Sequence, residues 1–197
     1  VHYCDIELID KNGKILGTHF KRDSNGNLLE KVKDGDLYKI LLEKYYICTP
    51  TMMMRREVLE KLGGYDEKLS YEDFDFWIRS SRNYKYCYTD RILMQKLIIK
   101  SSHSARQYQR KNPHSFSTAL VCQKALKLNK DREEDRALLK RINYELKWAL
   151  ITENWHAAEL FLKIKKSIPH SSVRWMLESF ITSIKPPWYV FWKLLIK

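Results

Sequence analysis

The run Leu62-Gly63-Gly64-Tyr65-Asp66-Glu67-Lys68-Leu69-Ser70-Tyr71-Glu72-Asp73-Phe74-Asp75-Phe76-Trp77-Ile78-Arg79 constrains the fold more than any other stretch. Gly63-Gly64 ends the helical pattern of Arg56 to Leu62, because glycine accepts the left-handed backbone of a helix stop without a steric cost. Further on, Phe74, Trp77 and Ile78 recur at i, i+3, i+4, which predicts a helix with one apolar face against a core. Ser70 stands at the expected N-cap, with Asp73 at the reach-back position of a capping box and Leu69 and Phe74 at the staple positions. Asp75 and Arg79, four apart, predict a surface ion pair worth only ~0.3–0.5 kcal/mol. These structural roles cover every charged residue of the helix except Glu72. A second role is open to Asp73. At about 100° per residue it borders the apolar stripe, whereas Glu72 points away. At a cleft wall, ionised by the helix N-terminus, it would serve as a catalytic base. Spacing alone leaves cap and base both open.

Around this helix the first hundred residues alternate short strand and helix signals. Ile6-Glu7-Leu8-Ile9 and Lys14-Ile15-Leu16 flank Asp10-Lys11-Asn12-Gly13, an Asn-Gly hairpin signal. Residues 20–36 are rich in Asp, Asn and Gly and predict a loop; Asp36 to Tyr45 predicts a short amphipathic helix carrying Leu37, Ile40, Leu41 and Leu42. Thr49 to Met54 is strand-like, with Pro50 near its start where a missing donor is tolerated. Tyr84 to Tyr88 and Arg91 to Ile99 predict two more strands. Beyond about residue 115 the pattern turns helical. Ala119 to Leu128, Glu133 to Ile151 and Trp155 to Lys166 show helical spacing, and Leu138, Leu139, Ile142, Leu146, Ala149 and Leu150 form one stripe.

Charge divides the chain in the same way. Residues 1–100 hold 18 Lys/Arg against 16 Asp/Glu, and residues 101–197 hold 18 against 8, so nearly all of the +12 net charge sits in the helical part. Such a bias points to a polyanionic partner or to a merely basic helical surface. A nucleic-acid binder is disfavoured: the aromatics cluster in the acidic helix and the apolar tail instead of alternating with Lys/Arg, and no RNP, KH or zinc-finger pattern occurs. Cys4, Cys48, Cys87 and Cys122 lie far apart without a CxxC pair or metal-ligand spacing, which predicts free, mostly buried thiols in a reducing compartment.

Taken together, these segments resemble the family 2 glycosyltransferases, enzymes of the GT-A fold common in bacterial polysaccharide synthesis. Gly63-Gly64-Tyr65-Asp66-Glu67 with Tyr71-Glu72-Asp73-Phe74-Asp75-Phe76-Trp77-Ile78-Arg79 is similar to that family's glycine-pair and Glu-Asp helix segment. Val1 to Gly13 is similar to its strand and Asn-Gly turn, and Thr49 to Leu59 to the segment before the glycines. Arg91 to Ser104 takes the place of its Tyr-Arg-x-His segment but lacks the Tyr-Arg. The resemblance spans roughly residues 1–105, in order. It implies that Asp73 is the general base and Glu72 its supporting neighbour, in a single displacement that inverts the anomeric configuration. It also implies a nucleotide-sugar donor, a divalent metal (Mg or Mn) in the full-length enzyme, and a glycan or lipid-linked acceptor.

The departures are as informative. The family's nucleotide-binding first half and Asp-x-Asp motif would precede Val1. Asp34-Gly35-Asp36 has the letters, but it follows the wrong segment. No cofactor-binding or metal-ligating residue is assigned in this chain; His103 stands where some GT-A enzymes have a metal-contacting His, but a lone His in Ser-Ser-His-Ser is more often a plain loop residue. The expectation is therefore an α/β fold: the acceptor-side, C-terminal portion of a GT-A (Rossmann-like) domain over residues 1–110, then a basic α-helical extension over 111–197. Without its partner half, such a stretch is expected to bind no donor and to be inactive. The chain starts on a strand-like run without Met, as a piece of a longer protein would.

The tail adds one more expectation. Val173, Trp175, Met176, Phe180, Ile181 and Ile184 precede Lys185-Pro186-Pro187 and the aromatic run Trp188 to Ile196. This run is too short for the ~20 apolar residues of a membrane span. Residues 173–197 would either lie on an anionic membrane surface, placing a cytoplasmic enzyme at the inner face of the membrane, or pack on the enzyme body or a second subunit.

Overall fold

The computed structural model describes residues 1–99, 102, 108–169 and 174–189. The elements run β1 (His2–Ile9), β2 (Ile15–Thr18), α1 (Tyr38–Glu43), α2 (Arg56–Lys61), α3 (Glu72–Asn83), β3 (Cys87–Leu97), α4 (Pro113–Leu128), α5 (Arg132–Ile151), α6 (Trp155–Lys166) and α7 (Arg174–Ile184). A three-stranded sheet of order β2-β1-β3 has β2 antiparallel and β3 parallel to the central strand. The protein is mixed α/β, with a small sheet and several helices, an arrangement compatible with part of a Rossmann-like domain.

The β1–β2 hairpin forms where Asn-Gly predicts it. Gly13 takes φ of 77°, and Asp10 Oδ1 accepts the N–H groups of Asn12 and Lys14. Gly63 and Gly64 end α2 with φ of 71° and 72°. Two strand expectations are corrected. Thr49–Thr51 is a 3-10 turn rather than a strand, and this stretch reaches the sheet only through the His2–Met53 bridge. In place of strands over Tyr84–Tyr88 and Arg91–Ile99 there is one, β3, over Cys87–Leu97, with Tyr84 as the α3 cap and Tyr86 in an isolated bridge to Gly35; the β3 register against β1 shifts on both sides of Asp5. The polar stretch Thr89-Asp90-Arg91 is thus a bulge that re-aims side chains rather than a turn. Its consequence is visible at Arg22, which bonds buried Asp5 at 2.8 Å and Asp90 at 2.6 Å.

The helical part does not stand apart from the first hundred residues. Leu41, Leu42, Phe74, Trp77 and Ile78 share one apolar core with Cys122, Leu138, Ile142 and Leu146, so the core is continuous across residue 110. Burial of each large side chain contributes about 1.5–3 kcal/mol. At the other end of α3, the Arg82 guanidinium lies 3.4 Å from the Tyr38 ring centroid and 2.9 Å from Glu134 of α5. Asp131 caps α5 by accepting the N–H groups of Glu133 and Glu134, and Asn112 caps α4 by accepting that of Ser115. The first turn of α4, set by the Asn112 cap, bonds Ser70 and Tyr71 just before α3.

In the tail, α7 packs on α6 through the buried pair Lys165–Glu178 at 2.6 Å, while Leu177, Phe180 and Ile184 remain exposed. Among the described residues no helix is long and apolar enough to cross a membrane. Val173, the run beyond Tyr189 and His103 lie outside the described residues.

Candidate active site

The start of α3 differs from the sequence expectation in a way that matters for chemistry. Tyr71, not Ser70, occupies the cap position, and no side-chain cap bond forms there. The expected capping box is therefore absent. Its parts are engaged elsewhere: Ser70 Oγ donates to the Pro113 carbonyl at 3.2 Å, and Tyr71 N–H donates to Ser117 Oγ at 3.1 Å. The His114 Nδ1–H donates to the Ser70 carbonyl at 3.1 Å. The first turn of α4 thus supplies the polar partners that a local cap would have supplied. Asp73 is released from capping and its carboxyl instead takes a hydrogen bond from the Thr49 side chain.

Asp75 is likewise not a surface residue. It is 1% exposed and bonds Arg79 at 2.7 Å and Lys124 of α4 at 2.9 Å. Lys124 also holds Asp66 at 2.7 Å, and Arg79 donates to the carbonyls of Leu62 and Gly64. One network therefore ties the glycine turn and the acidic loop to α3 and α4. Tyr65 stacks on Phe76, with centroids 4.7 Å apart. Within the Leu62–Arg79 run, Asp66, Asp75 and Arg79 build the loop, leaving Glu72 and Asp73 to face open space.

That space is a cavity of about 920 Å³, at the upper end of the ~300–1,000 Å³ usual for small-molecule sites. Glu72 and Asp73 lie on one wall together with Tyr45, Thr49 and Tyr71; Lys96 enters from β3. Burial pushes the Asp73 carboxyl above its usual range, and the neighbouring Glu72 adds to the rise. The Thr49 hydrogen bond and the Lys96 charge oppose it. Burial also raises the Tyr45 and Tyr71 hydroxyls, which stay protonated at neutral pH. The opposite wall comes from α4 and α5 and includes His114, Arg141, Tyr144, Glu145 and Trp148.

The sequence reading placed Asp73 and Glu72 together, and the structure has both on the cavity wall. It missed the α5 wall. Lys140, Tyr144 and Trp148 recur every four residues, beside the apolar stripe of Leu138, Ile142 and Leu146, so α5 carries two working faces. Aromatics placed off the stripe were the available signal. Asp34-Gly35-Asp36 serves the fold: Asp36 accepts the Tyr38 N–H at the start of α1, and Gly35 bridges to Tyr86. Among the described residues no group of three or more His, Cys, Asp or Glu is placed to hold a metal ion. Cys4, Cys48 and Cys122 are buried free thiols, and Cys87 is exposed.

Comparison with known proteins adds a coarse assignment. The chain is 32% identical over 103 residues to a protein of Methanocaldococcus jannaschii named as an uncharacterized glycosyltransferase. The match covers 49% of this chain and spans about a third (35%) of that protein's length. The name of that protein carries neither a family nor a fold. No family model matches the chain, and no solved structure matches it.

Proposed function

We propose that this chain is the acceptor-side part of an inverting glycosyltransferase of family 2 type, with a GT-A fold. The full-length enzyme would move a sugar from a nucleotide-sugar donor to a glycan or lipid-linked acceptor during cell-envelope polysaccharide synthesis. The observation that carries the reading is Asp73. It sits half-buried in the wall of a large cavity, beside a second carboxylate, with its proton affinity raised by burial. A carboxylate raised toward the working pH is a better base than an ordinary one.

The proposed step is a single displacement. Ionised Asp73 takes the proton of an acceptor hydroxyl while that oxygen bonds to the anomeric carbon of the donor. The bond from that carbon to the diphosphate oxygen breaks, and its electron pair leaves with the nucleoside diphosphate. Attack from the face opposite the leaving group inverts the anomeric centre. Glu72 supports the base by raising its pKa. No residue of this chain is assigned to the divalent cation or the donor's diphosphate that the reading implies for the full-length enzyme, and the step above does not route through them.

The decisive test is Asp73→Asn in the full-length enzyme. Transfer should be abolished while donor binding is retained; near-normal transfer would reject the base assignment. The exposed Leu177, Phe180 and Ile184 of α7, in the basic part of the chain, support attachment to an anionic membrane at its cytoplasmic face. Co-sedimentation with phosphatidylglycerol vesicles should fall when these three become Ser, and unchanged binding would argue against it.

A further inference from the structure

We propose that Tyr108, Tyr144 and Trp148 form a carbohydrate-stacking subsite, and that the acceptor is therefore a glycan whose terminal rings lie on the α5 wall. This rests on the glycosyl-transfer reading of the cavity and adds the class of the acceptor. The three rings form one cluster on the cavity lining. Tyr108 and Trp148 have centroids 4.6 Å apart, Tyr144 and Trp148 6.5 Å, and the Tyr108 and Tyr144 hydroxyls meet at 3.2 Å. Tyr144 of α5 remains 49% exposed and Tyr108, in the connection before α4, 37%, although both are large aromatics.

The core does not explain them. The apolar stripe of α5 is already buried through Leu138, Ile142 and Leu146, and the aromatic set lies on the adjoining face. The exposed rings of Tyr108 and Tyr144, packed edge-on and tilted against Trp148, present the negative side of the ring quadrupole and attract the weakly positive C–H faces of a pyranose ring. Carboxylates around them accept hydrogen bonds from sugar hydroxyls, and Glu43, Glu72 and Glu145 line the same cavity.

The charge balance favours a glycan end over a lipid phosphate. Four cations on the lining, Lys44, Lys96, Lys140 and Arg141, face four carboxylates, Glu43, Glu72, Asp73 and Glu145. Lys140 is paired with Glu43 at 3.1 Å and Arg141 with Glu145 at 3.2 Å, while Lys96 acts on Asp73. A phosphate at Lys140 or Arg141 would have to displace Glu43 or Glu145; a neutral ring would not. The cavity is also large enough for more than one sugar ring.

The test uses the full-length protein with four neutral trisaccharides (maltotriose, cellotriose, mannotriose and N,N′,N″-triacetylchitotriose) and, separately, polyprenyl phosphate in detergent micelles. Binding is read by calorimetry and saturation-transfer NMR. At least one trisaccharide should bind, with saturation transfer from aromatic protons. Trp148→Ala should weaken it by about tenfold, the scale of one lost stacking contact. Trp148→Phe should retain most of the affinity, which guards against a variant that merely misfolds. Failure of all four sugars to bind, unchanged affinity in Trp148→Ala, or binding of polyprenyl phosphate alone would overturn the proposal. Hydrolysis of the donor in the absence of acceptor reports the transferase reading separately. Hydrolysis without sugar binding overturns this subsite alone, whereas sugar binding that Trp148→Ala weakens, without hydrolysis or transfer, supports the subsite and counts against the transferase reading.

Discussion

The two walls of the cavity were built by different means. The α3 wall comes from a short, dense sequence motif, in which adjacent carboxylates meet a glycine turn and an aromatic stripe. The α5 wall comes from residues some seventy positions later, dispersed at helical spacing and without a motif. One wall carries a candidate for proton transfer; the other carries surface for recognition. The difference teaches that chemistry compressed into one helical turn is readable locally, whereas recognition spread along a helix face becomes a site only when another element is packed opposite.

Asp73 and Asp75 sharpen the contrast within a single turn. Two residues apart, they point into different surroundings: Asp75 into a network with Arg79 and Lys124, Asp73 toward Thr49 and the cavity. Asp73→Asn should lower transfer by about 10²–10⁴-fold, the usual contribution of a general base. Its thermal midpoint at neutral pH should be equal to or above that of the parent. The sign follows from the raised proton affinity of Asp73. The folded state binds more protons than the unfolded chain between the ordinary carboxylate pKa and the raised one. Stability therefore falls as pH rises through that window, and the neutral Asn does not incur that loss. A clear drop in midpoint would return Asp73 to a structural role.

Asp75→Ala should behave in the opposite way, costing about 2 kcal/mol of stability in denaturant titrations because it removes the buried carboxylate that both Arg79 and Lys124 bond. A loss below 1 kcal/mol would mean that the network holds little. Glu72→Gln is a smaller perturbation. By removing the neighbouring negative charge it should lower the Asp73 pKa and move the acid limb of the rate profile to lower pH, with only a modest loss of rate at neutral pH. An unmoved limb would uncouple the pair. The smallest effect is expected at Lys124→Ala: its ammonium is 42% exposed, so the loss should stay near or under 1 kcal/mol.

Much of the fold was legible before any coordinates. The Asn-Gly hairpin, the glycine stop of α2, the apolar stripe of α3 and the helical character after residue 115 all follow from local rules, because each depends on spacing within one element. What local rules misread has a common cause. Ser70 looked like a cap, but the first turn of α4 competes for the same groups and wins. Asp75 and Arg79 looked like a surface pair because helical spacing is silent about α4 lying over them. The break at Thr89–Arg91 looked like a strand end because a bulge and a turn share polar residues.

The sequence by itself determined the helix that carries Glu72 and Asp73, and the order of the elements around it, since both are set by short-range periodicity and backbone preference. Only the tertiary structure decided which carboxylate faces the cavity and which is locked in the core. That choice depends on Lys124 of α4, which holds Asp75, and on Thr49 and Lys96 beside Asp73, groups distant in sequence that only the folded chain brings together.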